Sequence, residues 1–321
     1  MSNNTTLLKS LRKIKRDGFP GRVEEKFRWC PEITSDTKLE CLFFRITNLG
    51  MQIDSLHEGF KILTFIGPFI DSCSSIFLQG VCKYYYSNIC QQLVQKMSIS
   101  KFNKQIKLSM FHKLLQEGLK TDAVSGWLLY ASFYYVLGRY KTTLCIVDYI
   151  LSRCTPGMFL LTIGYSEFDE ILYQSQICKH LTLGEKMKIG TIDCVIYNSG
   201  SCLIPEELRL YVMDDELMVL PDVMSHCLRF LCYHHLHEIS MRNEALCDLQ
   251  KSAESVIPGT LDHAISPSFT ISGVCNAIAG RKQCAFNCYK NALDCRGVRC
   301  KGAGRGLIDL VLNKFTNLTN D

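Results

Sequence analysis

The stretch ISGVCNAIAGRKQCAFNCYKNALD, residues 271–294, places Gly273, Gly280, Ala285 and Ala292 in a run of otherwise larger side chains. Two antiparallel helices come close only where one of them offers a side chain small enough to let the backbones approach. With Gly280 in the turn between two helices, Gly273 lies one helix face before it. Ala285, Tyr289 and Ala292 then recur on one side of the second helix. The spacing therefore predicts a tight helical hairpin.

Working outward, a second hairpin is expected around Gly138. Trp127, Ala131 and Tyr134 fall on its first helix and Tyr140 opens its second, with Thr143, Val147 and Ile150 where small or aromatic residues would pack more closely. A third is expected in SHCLRFLCYHHLHEISMRNEALCDLQKSAESV (225–256), aligned through Leu236, Ala245 and Leu249 with Tyr233 at the small position of the first helix. Ala245 follows Thr143 by about three lengths of a 34-residue unit, yet the sequence between them does not repeat.

This arrangement resembles a tetratricopeptide unit. The match is fullest at Gly273, Ala285, Tyr289 and Ala292, with Phe269 where Trp is commoner and Asn276 in place of Tyr. The fold expected is all-α: a helical hairpin stack, a tetratricopeptide-like α-solenoid, with an N-terminal helical region. Its divisions are an unassigned segment 1–50, a helical region 51–120 and the hairpin domain 121–321.

Flanking signals complete the outline. Asp54 and Ser55 open a helix that Pro68 is expected to stop, and Asp71 is expected to cap a long helix burying Phe77, Val81, Tyr85, Ile89 and Leu93. Residues 101–120 continue the helical pattern, and Thr121 or Asp122 caps the next helix. DCVIYNSG (193–200) reads as extended, and a helix starts at Pro205 with Glu206 and Glu207 at its positive end. Ser266 and Pro267 suit a further helix start, CRGVRCKGAGRG (295–306) reads as a connector, and GLIDLVLNKFTNL (306–318) as a closing helix with one polar side.

Composition narrows the function. The chain of 321 residues is 47% hydrophobic and 21% charged, which indicates a packed protein rather than a disordered one. A net charge of +5 is too diffuse for a dedicated nucleic-acid binder. The 18 cysteines are scattered, several in apolar helical runs (Cys145, Cys178, Cys227, Cys232, Cys247, Cys275), as expected of small hydrophobes in a reducing, cytoplasmic setting. The N-terminus lacks an apolar signal core, so the sequons at Asn3, Asn4 and Asn317 are read as accidental. Residues 5–16 are expected to form a short basic amphipathic helix. The most apolar window, 60–80, is broken by Pro68, Asp71 and serines and reads as core rather than a membrane span.

The phrases DAVSGWLLYASFYY (122–135), LSRCTP (151–156), SCLIPEELRLYV (201–212) and SHCLRFLCYHHLHE (225–238) with LCDLQ (246–250) also resemble, as a set, the helical C-terminal half of cGAS-like nucleotidyltransferase-family proteins of the male-abnormal group. The resemblance covers residues 60–295. It implies an upstream catalytic domain with a Gly-Ser phosphate turn and strand carboxylates for magnesium; GYSEFDEI (164–171), with Glu167 and Asp169, is too compressed to supply them. No catalytic residue is carried over.

Other constellations read as packing. In CLRFLCYHHLHE (227–238), His234 and Glu238 share a helix face, but Met241 stands where a second zinc histidine would fall. Cys284, Cys288, Cys295 and Cys300 lack paired two-residue spacing. Arg296, Arg299, Lys301 and Arg305 could meet an anion or acidic peptide, without a dinucleotide fingerprint. The expected function is a non-enzymatic protein-interaction scaffold holding a protein or peptide in a helical groove, with no cofactor and no membrane. The alternative is an accessory half of a cGAS-like protein in innate immune nucleotide sensing.

Overall fold

A computed structural model describes residues 43, 52–97, 104–154, 159–160, 181–209, 216–255, 262–295 and 300–312. The chain divides into two compact units, Met1–Ile46 and Thr47–Asp321. Within the first, only the buried, helical Phe43 is described. The second unit extends from the 51–120 region through the hairpins without a further break. The amphipathic segment 5–16, GYSEFDEI, Cys178, and Arg296 with Arg299 lie outside the described residues.

The fold is mostly helical, with twelve helices packed in sequential pairs among the described residues. Helix α1 (Leu56–Ser72) starts at Ser55, whose side chain accepts from the Glu58 amide while Glu58 accepts from the Asp54 amide, a reciprocal cap. Pro68 does not stop it: the helix continues one turn beyond, losing a single backbone bond. Consequently α2 (Ile76–Lys96) is capped by Ser75 rather than Asp71. Ile89 and Leu93 of the expected α2 face are fully buried, whereas Phe77, Val81 and Tyr85 are half-buried.

Helix α3 (Lys104–Gly118) leads into α4 (Ser125–Val136) through Asp122, whose carboxylate accepts from the Ser125 amide and hydroxyl. Helices α4 and α5 (Tyr140–Arg153) form the first hairpin. Pro221–His235 (α8) and Ile239–Glu254 (α9) form the second, and Asp262–Ile278 (α10) and Lys282–Asp294 (α11) the third, closed by α12 (Lys301–Val311). Between α5 and α8 the chain makes α6 (Leu183–Gly190), the one-turn α7 (Glu206–Arg209) and four short strands. Strands β1 (Phe159–Leu160) and β2 (Thr191–Ile192) pair in parallel, and β3 (Val195–Tyr197) and β4 (Leu217–Val219) antiparallel, with Ile196 opposite Met218. The extended reading of 193–200 is met by β3.

The three hairpins share one turn. Gly138, His237 and Gly280 each adopt a left-handed backbone, with φ of 70°, 58° and 79°. Each turn carries the same pair of closing bonds: Gly138 N to Tyr135 O and Arg139 N to Tyr134 O, His237 N to His234 O and Glu238 N to Tyr233 O, Gly280 N to Ala277 O and Arg281 N to Asn276 O. This fixes the register of the middle hairpin. Ala245, although fully buried, lies three positions past the place of Ala285, which Arg242 occupies instead. The sequence hides this because histidine, not glycine, makes the turn.

The positions turn-equivalent to Gly273 and Tyr289 are Ala131 and Val147 in the first hairpin and Phe230 and Leu246 in the second, all buried. Successive hairpins join second helix to first: α5 packs on α8 and α9 on α10, and α11 meets α12. Helices α5 and α8 are neighbours in space, and the described part of the chain between them adds no further hairpin to the series. Arg229 of α8 lies 3.9 Å from both Asp148 of α5 and Asp248 of α9, across this junction.

At the third hairpin the close approach is explicit. A Cβ on Gly273 would lie 2.5 Å from the Tyr289 ring, and one on Gly306 of α12 also 2.5 Å from it, so the ring is held between two glycine backbones. Ala285 and Ala292 are fully buried beside it. The stretch from Lys301 to Gly306 is thus helix, not connector. Ser266 and Pro267 lie inside α10, where the Ser266 hydroxyl donates to Ala292 O and accepts from the Cys300 amide. In the described part of the closing run Ile308, Val311 and Leu312 are exposed apolar side chains and Arg305 just before it is exposed as well, while 313–318 lie outside the described residues.

Among the described residues the cysteines are free thiols. Cys227, Cys232 and Cys275 are buried, as expected, while Cys145 and Cys247 are exposed. Burial pushes the Cys90 and Cys154 thiols up to about 12, far from reactive thiolates. No helix among the described residues is long and apolar enough to cross a membrane.

Two glycines of α12 only two residues apart should respond oppositely to alanine. Gly306→Ala drives a methyl into Tyr289 and is expected to cost roughly 1–3 kcal/mol. Gly304, where an added Cβ meets nothing within 4 Å, should gain up to about 1 kcal/mol from the same change. Urea unfolding of the two variants measures both.

Candidate functional site

The first helices α4, α8 and α10 lie side by side, and the second helices α5, α9 and α11 cover one face of that row. The second helices bury a residue only every three or four positions: Thr143, Val147 and Ile150 in α5, Ala285, Tyr289 and Ala292 in α11. The first helices are buried far more completely. In α10 even Ser266, Ser268, Thr270, Ser272 and Asn276 are buried, and Ser268, Thr270 and Asn276 turn their polar groups onto carbonyls one turn earlier. Something must therefore cover their other face.

That cover is the chain between the first two hairpins. Strand β3 packs on α4, while β4 and α7 pack on α10. The Tyr197 hydroxyl, fully buried, lies 2.6 Å from the Ser132 hydroxyl of α4. Strand alternation puts Val195 and Tyr197 inside and Ile196 outside. On the far side of β3 the Gln95 side chain of α2 stands in for another strand, donating to Ile196 O and accepting from the Asn198 amide, both at 2.9 Å. Asp122 accepts from the Asp193 amide at 2.8 Å, and the Cys202 thiol meets Val94 O. Burial pushes the Asp122 carboxyl above the ordinary carboxylate range, against the bonds from Ser125 and Asp193.

The most concentrated polar group sits where α7 reaches the junction of hairpins one and two. Glu207 Oε1 accepts from Tyr135 Oη at 2.7 Å and lies 2.8 Å from His235 Nε2, which is itself 3.0 Å from Tyr135 Oη. Tyr140 stacks face to face on His235, centroids 4.7 Å apart and planes within 2°. Burial acts to raise the Glu207 pKa, but the hydrogen bonds from His235 and Tyr135 outweigh it and hold the carboxyl below its ordinary range. Burial, together with the Glu207 charge, pushes the Tyr135 phenol up. The arrangement is a three-way tie: one carboxylate joins the inserted segment to two hairpins.

The residues singled out in the sequence fall at seams rather than in one site. Gly273, Ala285, Tyr289 and Ala292 converge; Ala131 is buried against the second helix of its own hairpin, where Thr143 Oγ1 donates to Ala131 O at 3.3 Å. Trp127 meets the exposed Tyr149 edge-on at 5.0 Å, and Tyr134 belongs to a cluster with His112 and Tyr130, where His112 Nδ1 lies 2.8 Å from Tyr130 Oη. Only Tyr140 joins the Glu207 group. Tyr135, Ser132, Tyr197 and Gln95 carried no pattern that marks them, since their partners lie 65 to 103 residues away. His234 and His235 serve in ring stacking, on Phe230 and Tyr140; among the described residues no three His, Cys, Asp or Glu side chains converge as for a metal ion.

The cover is strongly held. Val195, Leu203, Ile204, Leu208, Leu217 and Val219 are all essentially buried. Burying each such side chain contributes about 1.5–3 kcal/mol, so the set, even reduced because transfer sums are upper bounds, is of the same order as the roughly 8 kcal/mol of a micromolar ligand.

Comparison of the chain with family models, with curated proteins and with solved structures finds no match.

The tie at Glu207 makes a pH prediction. Its pKa in the folded protein lies below the 4.5 of the free side chain. A depressed folded pKa gives stability that is present above the unfolded pKa and is lost as pH falls through the folded one. Between about pH 5 and about pH 3, the wild-type urea midpoint is therefore expected to fall more steeply than that of Glu207→Gln.

Proposed function

We propose that this chain is a non-enzymatic protein-interaction scaffold built from tetratricopeptide-like helical pairs. The observation that carries the reading is the repeated hairpin: three helix pairs with the same left-handed turn and the same buried cross-pair, stacked in series. Such stacks present extended rows of helices to other proteins. The resemblance of residues 60–295 to the helical half of cGAS-like proteins fits a non-catalytic module of this kind.

With the inner helices covered by the chain itself, the partner's contacts fall on the outer row and the closing end. Tyr149 on α5, Ile239 at the start of α9, Phe286 on α11, Ile308 and Val311 on α12 and Leu312 just beyond it are the large apolar side chains exposed there among the described residues. Aromatic anchors of this sort commonly dominate binding energy at protein interfaces. On this reading the partner binds away from the open groove expected from sequence.

The test is affinity capture from the native cell type with the full chain and with a Phe286→Ser/Ile308→Asp/Val311→Asp variant, alongside calorimetric titration of both with ATP and GTP. The scaffold reading predicts a reproducible protein partner, recovered at least tenfold less by the variant, whose circular dichroism is unchanged, and no nucleotide heat. Saturable nucleotide binding without a partner would overturn it.

A further inference from the structure

We infer that residues 192–209 and 216–220 are a permanent in-cis ligand of the inner face of the stack, so that this face is closed to partner peptides and the segment opens only when the whole domain unfolds. The juxtaposition that carries the inference is the Tyr197–Ser132, Glu207–Tyr135–His235 and Gln95–β3 contacts, which fasten one segment to α2, α4 and α8 at once.

A lid would be fastened along one edge and free along another. Here the anchors surround the segment. Gln95 holds one side of β3, β4 pairs with the other, and β4 in turn rests on α10. Asp122 holds the approach to β3 at Asp193, and Glu207 ties the far end to the seam between hairpins. Its exposed positions are Ile196, the turn at Ser199 and Gly200, and the charged Glu206, Arg209 and Glu216, so Ile196 is the one exposed apolar side chain among the described residues of the segment.

Chain continuity strengthens the closure. The segment belongs to the chain that connects α5 to α8, two helices already packed on each other, and it runs through Leu220 directly into α8, so it is tethered beside its own binding face. Tethering of this kind raises the effective concentration of a ligand to the millimolar order or beyond. A diffusing peptide at cellular concentration competes against that as well as against the buried contacts. The inner face is thus part of the core, and regulation by displacing the segment is not available to this fold.

Native-state hydrogen exchange on the full chain, in a series of low denaturant concentrations, tests this without any partner, so its outcome is separate from that of the scaffold reading. The amides of Tyr197, Asn198, Leu208 and Met218 are expected to exchange within tenfold of those of Leu128–Phe133 in α4 and Leu228–Leu231 in α8, with the same denaturant dependence. Exchange of the segment more than tenfold faster, through an opening that leaves α4 and α8 protected, would overturn the inference and make the segment a lid.

Discussion

The Tyr289 ring lies against two helices at a distance that only glycine permits. A tyrosine can be fully buried between α10 and α12 because Gly273 and Gly306 each remove the Cβ that would otherwise strike it. Aromatic burial supplies much apolar contact in one residue, and here it locks the third hairpin to its closing helix. The carbonyl of Ala292 and the amide of Cys300 are fastened to the same inner helix by Ser266. From that joint the stack runs back through α9 and α8 to the first hairpin.

The other hairpins solve the same problem with different sizes. The turn-equivalent positions hold Ala131 and Val147 in the first, and Phe230 and Leu246 in the second, all buried. A smaller first-helix residue goes with a larger partner at one end of the series, and a large first-helix residue with a moderate partner in the middle. What is conserved along the stack is the turn and the positions that meet, not the identity of the residues. The left-handed His237 shows the tension: a residue with a Cβ holds a conformation that glycine adopts freely. Its place in the turn is dictated by the neighbouring helices.

The helical fold and two of the three hairpins were legible in the sequence because glycine marks both turns. Gly138 and Gly280 fixed the register of α4 with α5 and α10 with α11, and the small residues around Gly280 identified the closest helix approach. The middle hairpin slipped by three positions where His237 replaced the glycine signal, drawing attention to Ala245. Pro68 and Pro267 were misleading because one missing amide bond costs less than the packing that carries α1 and α10 past them. The cover of the inner face was illegible for a different reason. Strands of three residues have too little length to show a period, and Tyr197, Glu207 and Gln95 acquire meaning only from partners distant in the chain. An amphipathic pattern reports that a helix has a buried side, not what buries the other.

The central claim is that backbone approach at Gly273 is what admits the Tyr289 ring. A double-mutant cycle with Gly273→Ala and Tyr289→Leu, followed by urea unfolding, tests it most directly. If the account holds, the methyl and the ring compete for the same space, so the double variant is more stable than the sum of the single losses by more than about 1 kcal/mol. Additive losses, agreeing within about 0.5 kcal/mol, would show that the two residues do not meet and would contradict the account.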